Sequence, residues 1–271
     1  MRIAAWLLLG ISGLTLAGCA SAPASKKVGI NAAGELTSVR QNRSGSIEQF
    51  VDSAALQQAA SVSLPKVSVV DGAYEPPITD LQAALVANQA GRQLCAKLGR
   101  YFVINEQAPD LRLQVVVTKI AATSRGASGV SALVGVVSPV PFRLPTGLGG
   151  LAIEGSAESP DGAQHLLQRW AKGANPILNR AKVSLIGDAY QLAGSFAKNF
   201  AKTLLLAARV DPSKALARLD RKAVKTNQLL CDAQFGRANL AGRGASILLP
   251  LSPESIDSGT PVQTPNNTPV R

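Results

Sequence analysis

Three cysteines and one histidine are the side chains of this 271-residue chain best suited to covalent or metal chemistry. Cys95, Cys231 and His165 form no C-x-x-C or H-x-x-x-H spacing, so a zinc site built from these three is the weaker alternative. No G-x-S-x-G motif indicates a serine nucleophile. Glu154 and Glu158 would lie about 13 Å apart along one strand, wider than a glycosidase carboxylate pair. We therefore predict no catalytic site, metal or cofactor, and expect His165 to be an ordinary strand residue and both glutamates to be solvated.

The third cysteine follows a segment typical of secretion signals. Arg2 supplies a positive charge, Ile3 to Leu16 form an apolar stretch, and two small residues precede the cysteine. The run Leu16-Ala17-Gly18-Cys19 resembles the lipobox of bacterial lipoproteins. That resemblance implies cleavage before Cys19, a diacylglycerol on its thiol, and an acyl chain such as palmitate on its new amino group. Two or three acyl chains anchor a protein firmly.

An uncleaved transmembrane anchor is the alternative interpretation of this segment. The apolar stretch is shorter than the roughly 20 residues that a spanning helix needs, and Gly10 and Gly13 interrupt it. Ala20 and Ser21 follow the cysteine, whereas an aspartate there marks inner-membrane retention in enterobacterial lipoproteins. We therefore expect a lipid anchor in the outer membrane, facing the periplasm, with the inner membrane as the less favoured location.

The charge of the chain is strongly positive and unevenly distributed. The formal net charge is +11, and residues 161–250 contain 14 Lys and Arg against five Asp and Glu. Such a surface attracts lipopolysaccharide, peptidoglycan or anionic headgroups, and a solvated basic surface is the plain alternative. No nucleic-acid-binding motif is present. The candidate contacts for an anionic ligand are Lys198, Lys202, Arg218, Arg221, Lys222 and Lys225.

Two cysteines remain after Cys19 is assigned to the lipid. An even pair in an oxidising compartment predicts a disulfide between Cys95 and Cys231. Two separate buried thiols are the alternative, because free cysteine often behaves as a small apolar residue.

The apolar periodicity predicts two firm helices, at 80–98 and about 185–208. Thr79 and Gln82 form a capping-box pattern at the first of them. Strands are expected at 62–70, 101–104 and 111–121, followed by a hairpin that turns at Asp161-Gly162, while 47–60 is expected to hold a short helix. The predicted fold is α+β, with a mainly antiparallel sheet of about five strands and two amphipathic helices packed on one face.

Composition divides the chain into five segments. We expect a signal peptide at 1–18, a flexible tether at 19–45 and an α+β lipoprotein domain at 46–208. A basic, partly helical extension at 209–250 and a disordered tail at 251–271 follow. The stretch 126–142 carries no charge and several Gly and Pro residues. It is interpreted either as a packed loop or as a flap that touches a partner or a membrane.

These features together resemble an uncharacterised family of bacterial envelope lipoproteins, a domain of unknown function (DUF3313). The similarity covers about residues 45–207. Its residues are the lipobox, Phe50-Val51-Asp52, Val67 to Val70, Leu111 to Ile120, Leu148 to Gly155, Asp161-Gly162, and Phe196 with Phe200. The resemblance implies an anchored periplasmic domain without catalytic residues. We expect a non-catalytic adaptor or assembly factor with an envelope protein as partner. The alternatives are a module that binds anionic envelope polymer or lipid, and an accessory lipoprotein of a transport or secretion machine.

Overall fold

The computed structural model describes residues 21–24, 29–124, 147–175, 179, 184–211, 213–237 and 252–257. These residues form a mixed α/β structure built on one sheet. Its strands are β1 (Thr37–Asn42), β2 (Gly45–Val51), β3 (Ser61–Ser63), β4 (Ser68–Val69), β5 (Val103–Ile104), β6 (Leu111–Ala121), β7 (Gly150–Glu158) and β8 (Gln164–Gly173). Its helices are α1 (Ser53–Leu56), α2 (Asp80–Leu98), α3 (Gly187–Ala207), α4 (Arg221–Phe235) and α5 (Pro253–Ile256).

The sheet is mostly antiparallel, as predicted. The strands are ordered β1-β2-β8-β7-β6-β3-β5, and β4 also pairs with β6. In this order, all neighbouring strands from β1 through β2, β8 and β7 to β6 are antiparallel. Strands β3 and β4 are parallel to β6, and β5 is parallel to β3. The described sheet has eight strands rather than about five. Residues 45–51 pair with β8 as a strand, so the short helix expected within 47–60 is limited to α1. The single strand expected at 62–70 divides into β3 and β4.

Helices α2 and α3 pack against each other and cover one face of the sheet. The α2 helix begins with the predicted capping box, in which Thr79 Oγ1 accepts from Gln82 N at 3.3 Å and Gln82 Oε1 accepts from Thr79 N at 3.1 Å. The α3 helix approaches β7 closely at Gly155, where a Cβ atom would lie 2.7 Å from Phe200 Cε2. These two helices correspond to the two predicted from periodicity. Of the three further helices in the described residues, α1 lies in the 47–60 segment and α4 in the 209–250 extension, where helix was expected, whereas α5 was not expected.

Helix α4 packs against α2 and strand β5, and it is covalently joined to α2. Cys95 and Cys231 form a disulfide with an S–S distance of 1.96 Å, the first of the two states that the sequence left open. Nearby, the Asn227 amide donates to the carbonyl oxygens of Gly99 and Phe102 at 2.8 and 2.9 Å. The carbonyls beyond the C-terminal end of α2 are thereby satisfied by a side chain of α4.

Residues 252–257 correct the prediction of a disordered tail at 251–271. Ile256 is buried in the main core, and the Asp257 carboxylate accepts from both terminal nitrogens of Arg92 at 2.7 Å each. A Pro- and Ser-rich composition predicts disorder only where no buried contact offsets the entropy of ordering. Here a buried ion pair and an apolar anchor supply that contact.

The flexible tether predicted at 19–45 is also wrong for its described part. Strand β1 occupies Thr37–Asn42, and Ile30 is buried against Val116 and Leu167 on the sheet face opposite the helices. The second face of the sheet carries apolar side chains that need a cover, and the N-terminal residues provide it.

Candidate functional site

The N-terminal segment, which we define as residues 21–24 and 29–34, lies along the second face of the sheet. Ala22 N donates to Arg43 O at 2.9 Å at one end of the sheet. Further along, Ile30 N donates to Glu154 Oε2 at 2.7 Å, and Ala33 N donates to Gln164 Oε1 at 2.9 Å near the opposite end. The described residues of the N-terminal segment therefore contact the sheet at one end, in the middle and near the other end of β7 and β8.

Close approach to the sheet depends on small residues in the N-terminal segment and beneath it. A Cβ on Gly29 would lie 2.8 Å from Val116 Cγ1, and one on Gly150 would lie 2.8 Å from Pro23 Cδ. Both distances are shorter than carbon atoms tolerate without displacement. The N-terminal segment is thus fitted to this face rather than resting loosely on it.

Glu154 holds the middle of the N-terminal segment and corrects the prediction of a solvated strand residue. The residue is 3% exposed, and its Oε2 accepts from Gly29 N at 3.1 Å as well as from Ile30 N. Arg169 lies 3.7 Å from Glu154 Oε1 and donates to Ile30 O at 3.3 Å. Burial raises the pKa of Glu154, although these backbone donors and Arg169 oppose that shift.

A cavity of about 410 Å³ lies beside these residues. Ala22, Pro23, Thr118, Trp170 and the Glu154–Arg169 pair contribute to its lining. Both charged groups are engaged in holding the N-terminal segment, and Ser46 and Thr118 are the hydroxyl-bearing residues of the lining. The Glu154–Arg169 pair thus acts as a clamp on the chain. Within the described ranges, no group of three or more His, Cys, Asp or Glu residues could hold a metal ion.

The end of the sheet where Ala22 docks, here called the proximal end, brings several turns together. It comprises the β1–β2 turn at Arg43 and Ser44, the last residues of β8 at Lys172 and Gly173, and the first residue of β7, Gly150. Gly173 N donates to Ser44 O at 3.0 Å, which ties the turn to β8. Arg43 is exposed and Lys172 partly exposed. The proximal end therefore presents positive charge next to the point where the chain arrives from Cys19.

The six predicted basic contacts are divided between separate elements. Lys198 and Lys202 are exposed on α3, whereas Arg221, Lys222 and Lys225 are exposed on the first turns of α4. Helices α3 and α4 both pack on α2. Arg218 precedes α4, with its guanidinium carbon 5.8 Å from the Tyr101 ring centroid. None of the six pairs with a carboxylate among the described salt bridges.

His165 is the centre of a hydrogen-bonded group that the sequence did not reveal. Its Nδ1 lies 3.2 Å from Asp52 Oδ2, and its Nε2 lies 3.0 Å from Ser159 Oγ. The order resembles a nucleophile–base–acid chain, but the Ser159 hydroxyl donates to the Asp161 carboxylate. The hydrogen bond from Ser159 is the largest cause that lowers the pKa of Asp161, so that carboxylate is an acceptor at neutral pH. The hydroxyl proton is thus directed away from His165, and the group joins the β7–β8 turn to the end of β2.

Several predicted features lie outside the described residues. They are Leu16, Ala17, Gly18 and Cys19 of the lipobox, and the uncharged stretch 126–142. The described residues on either side of 125–146 are hydrogen-bonded to each other, since Ser124 N donates to Gly147 O at 2.8 Å. None of the helices in the described part of the chain combines the length and apolar character needed to cross a bilayer.

The sequence missed the clamp at Glu154 because its partners are distant and mostly backbone groups. The one local signal was Ile30, an apolar residue in a polar stretch, and a single residue of that kind carries little information.

Comparison with known families gives a clear assignment. The family described as "Protein of unknown function (DUF3313)" matches residues 33–200. The chain belongs to this family.

Solved structures give more distant matches. The PelC dodecamer from Paraburkholderia phytofirmans is 13% identical with a TM-score of 0.37, and the match covers 61% of this chain and 99% of that chain. A single-residue variant of the same dodecamer has the same identity and TM-score, with 62% and 99% coverage. No curated protein matches the sequence.

Proposed function

We propose that this protein is a lipid-anchored lipoprotein that faces the periplasm from the outer membrane and acts as a non-catalytic adaptor or assembly factor. The observation that carries the proposal is the run Leu16-Ala17-Gly18-Cys19, followed only three residues later by Ala22 docked on the sheet. A thiol that carries lipid and lies so close to a folded domain describes an anchored protein. The disulfide between Cys95 and Cys231 fits an exported one.

The anchor is tested by removing the thiol. The full-length chain and its Cys19→Ala variant are expressed in the native host, and membranes are separated on a density gradient. We expect the unaltered protein to sediment with the outer membrane and the variant to leave that fraction. Equal recovery of both proteins in the outer-membrane fraction would exclude lipid on Cys19 as the anchor.

The adaptor role is supported by the edge strand β1. All six residues of β1 are exposed, Val39 is 56% exposed, and the described structure pairs β1 only with β2. An open edge of this length offers backbone donors and acceptors to an added strand from a partner. An envelope protein that docks by strand addition is therefore the partner we propose.

In-cell photo-crosslinking tests this surface. A photoreactive amino acid replaces Val39, and the control replaces Val210, which is 77% exposed but lies outside the sheet. We expect one envelope protein to be captured from position 39 and not from position 210. Capture of lipid or glycan alone, or of the same proteins from both positions, would oppose the adaptor role.

A module for anionic polymer is the second candidate, and helix α4 favours it. Arg221, Lys222 and Lys225 are exposed together on its first turns. Replacing all three by Gln should abolish salt-sensitive retention on lipopolysaccharide or peptidoglycan, since such attraction is screened by salt. Replacing Lys66, Arg100 and Lys214, which are exposed outside α3 and α4, is the control with the same charge removed. Retention unchanged between low and high salt would remove this candidate.

A further inference from the structure

We infer that the proximal end of the sheet rests on the bilayer surface and binds anionic phospholipid headgroups through Arg43 and Lys172. The inference rests on the proposed lipid at Cys19 and adds the orientation of the domain and the lipid chemistry it contacts.

Chain length limits the distance between the lipid and the sheet. From Cys19 to Ala22 there are three residue steps, which span at most about 10–11 Å when extended. Ala22 is fixed to Arg43 O by a 2.9 Å hydrogen bond. A free tether over 19–45 would instead have a root-mean-square length of about 25–30 Å. The docked N-terminal segment thus restricts the anchor to the neighbourhood of the proximal end.

Charge at the proximal end favours an anionic surface. Arg43 and Lys172 are close neighbours, because the β1–β2 turn is bonded to the end of β8, and no described salt bridge neutralises either side chain. The nearest carboxylate along β2, Glu48, lies about 13 Å from Ser44 of the turn. Asp188 also lies near this end, but it is buried and accepts from Gly149 N at 2.7 Å.

The opposite end of the sheet carries mainly negative charge. β7 extends about 26 Å from Gly150 to Glu158, so the β7–β8 turn lies well beyond the Debye length of about 8 Å from a surface at the proximal end. That distal end carries the carboxylates of Asp52, Glu158 and Asp161, with Arg112 as the basic residue paired across the sheet from Glu158. A negative surface therefore attracts the proximal end and repels the distal one.

Chemical attachment of the lipid tests the orientation without relying on the cell. The chain that begins at Cys19 is coupled through that thiol to maleimide lipid in vesicles of phosphatidylcholine with 30% phosphatidylglycerol, under oxidising conditions that keep Cys95 and Cys231 joined. A fluorescent amino acid replaces Ser44 at the proximal end or Asp161 at the distal end. Lipids with a headgroup nitroxide quench only fluorophores that come nearly into contact with them.

We expect quenching to be stronger at position 44 than at position 161. The double variant Arg43→Gln/Lys172→Gln should lower the constant for surface contact about 25-fold, since each basic residue near an anionic surface contributes about fivefold. Lys66→Gln/Arg100→Gln removes the same charge from exposed residues outside the proximal end and should leave the quenching ratio unchanged. Vesicles without phosphatidylglycerol should act like the double variant.

Equal quenching at both positions, or an unchanged ratio in the double variant, would overturn the inference. Because the lipid is attached chemically, these results are independent of whether cells acylate Cys19. Failure of acylation in the host would remove the proposed function and leave the measured orientation unaffected. Failure of orientation would leave the anchor in place and remove only this inference.

Discussion

Asp257→Asn should destabilise the protein far more than a surface charge change. The Asp257 carboxylate accepts from Arg92 Nη1 and Nη2 at 2.7 Å each and from the Tyr190 hydroxyl at 2.7 Å. The side chains of Arg92 and Asp257 are 5% and 0% exposed. Burial alone would lower the pKa of Arg92, but hydrogen bonds to the Asp257 carboxylate hold that pKa above its ordinary value. Arginine side chains keep their charge in proteins, so neutralising Asp257 leaves a buried cation without its counterion.

The magnitude follows from leaving a buried charge without its counterion. Removing one partner of a buried pair costs about 3–5 kcal/mol. At about 2–4 °C per kcal/mol for a chain of this size, the midpoint of thermal unfolding should fall by about 6–20 °C. Asp232→Asn is the matched control, since Asp232 bonds Arg237 Nε at the same 2.7 Å but the arginine side chain is 68% exposed. That exposed pair should contribute no more than about 1 kcal/mol.

The assay is urea unfolding followed by near-ultraviolet circular dichroism, with the disulfide intact. A double variant, Arg92→Met/Asp257→Asn, should recover much of the loss because the uncompensated charge is gone. If Asp257→Asn costs no more than Asp232→Asn, residues 252–257 do not dock as described, and the reasoning fails.

Three further predictions concern the sheet and the helix layer. Burial raises the pKa of Glu154, so the folded protein keeps a proton that the unfolded chain releases, and stability should fall as pH rises above about 4.3 towards the raised pKa. Glu154→Gln should remove this fall when the free energy of unfolding is measured by urea titration at several pH values. An unchanged dependence of that free energy on pH in the variant would contradict the prediction. Replacing Cys95 and Cys231 by Ala should cost about 2–5 kcal/mol, measured by urea unfolding against the oxidised protein, because the bridge closes a long loop. Gly155→Ala should cost about 1–3 kcal/mol by overpacking against Phe200, whereas Gly162→Ala, where φ is 88° but the space is open, tests backbone strain alone.

Elements with local signals were predictable from the sequence. The capping box at Thr79 fixed the start of α2, the strict alternation at 111–121 gave β6 with its observed bounds, and Asp161-Gly162 marked the hairpin turn. In each case the deciding interaction joins residues a few positions apart. The physical cause is therefore visible in a short window of sequence.

Elements that depend on distant partners were not predictable. Ile30 bonds Glu154 across 124 residues, and Arg92 bonds Asp257 across 165 residues. Each docked segment has a composition typical of linkers. It is ordered only because it binds a complementary buried side chain, Glu154 for the N-terminal segment and Arg92 for residues 252–257. The alternation of β7 likewise indicated one polar face, but it could not show that the N-terminal segment covers that face and buries Glu154.

The proposed lipid site stays a prediction from four adjacent residues, Leu16-Ala17-Gly18-Cys19, which resemble a lipobox. The six basic residues were grouped by charge count, and the structure distributes them over α3, α4 and the residues before α4. Net charge along a sequence does not specify which face of the fold carries it. The two basic residues at the proximal end, Arg43 and Lys172, are 129 positions apart, and only the pairing of β2 with β8 brings them together.

We propose that Cys19 carries the lipid that anchors this chain, and mass spectrometry of the N-terminal peptide, from protein extracted from membranes of its native host, tests this first. We expect a peptide that begins at Cys19 and carries a diacylglycerol together with an amide-linked acyl chain. A peptide that retains Met1, or one that begins at Cys19 without added mass, would contradict it.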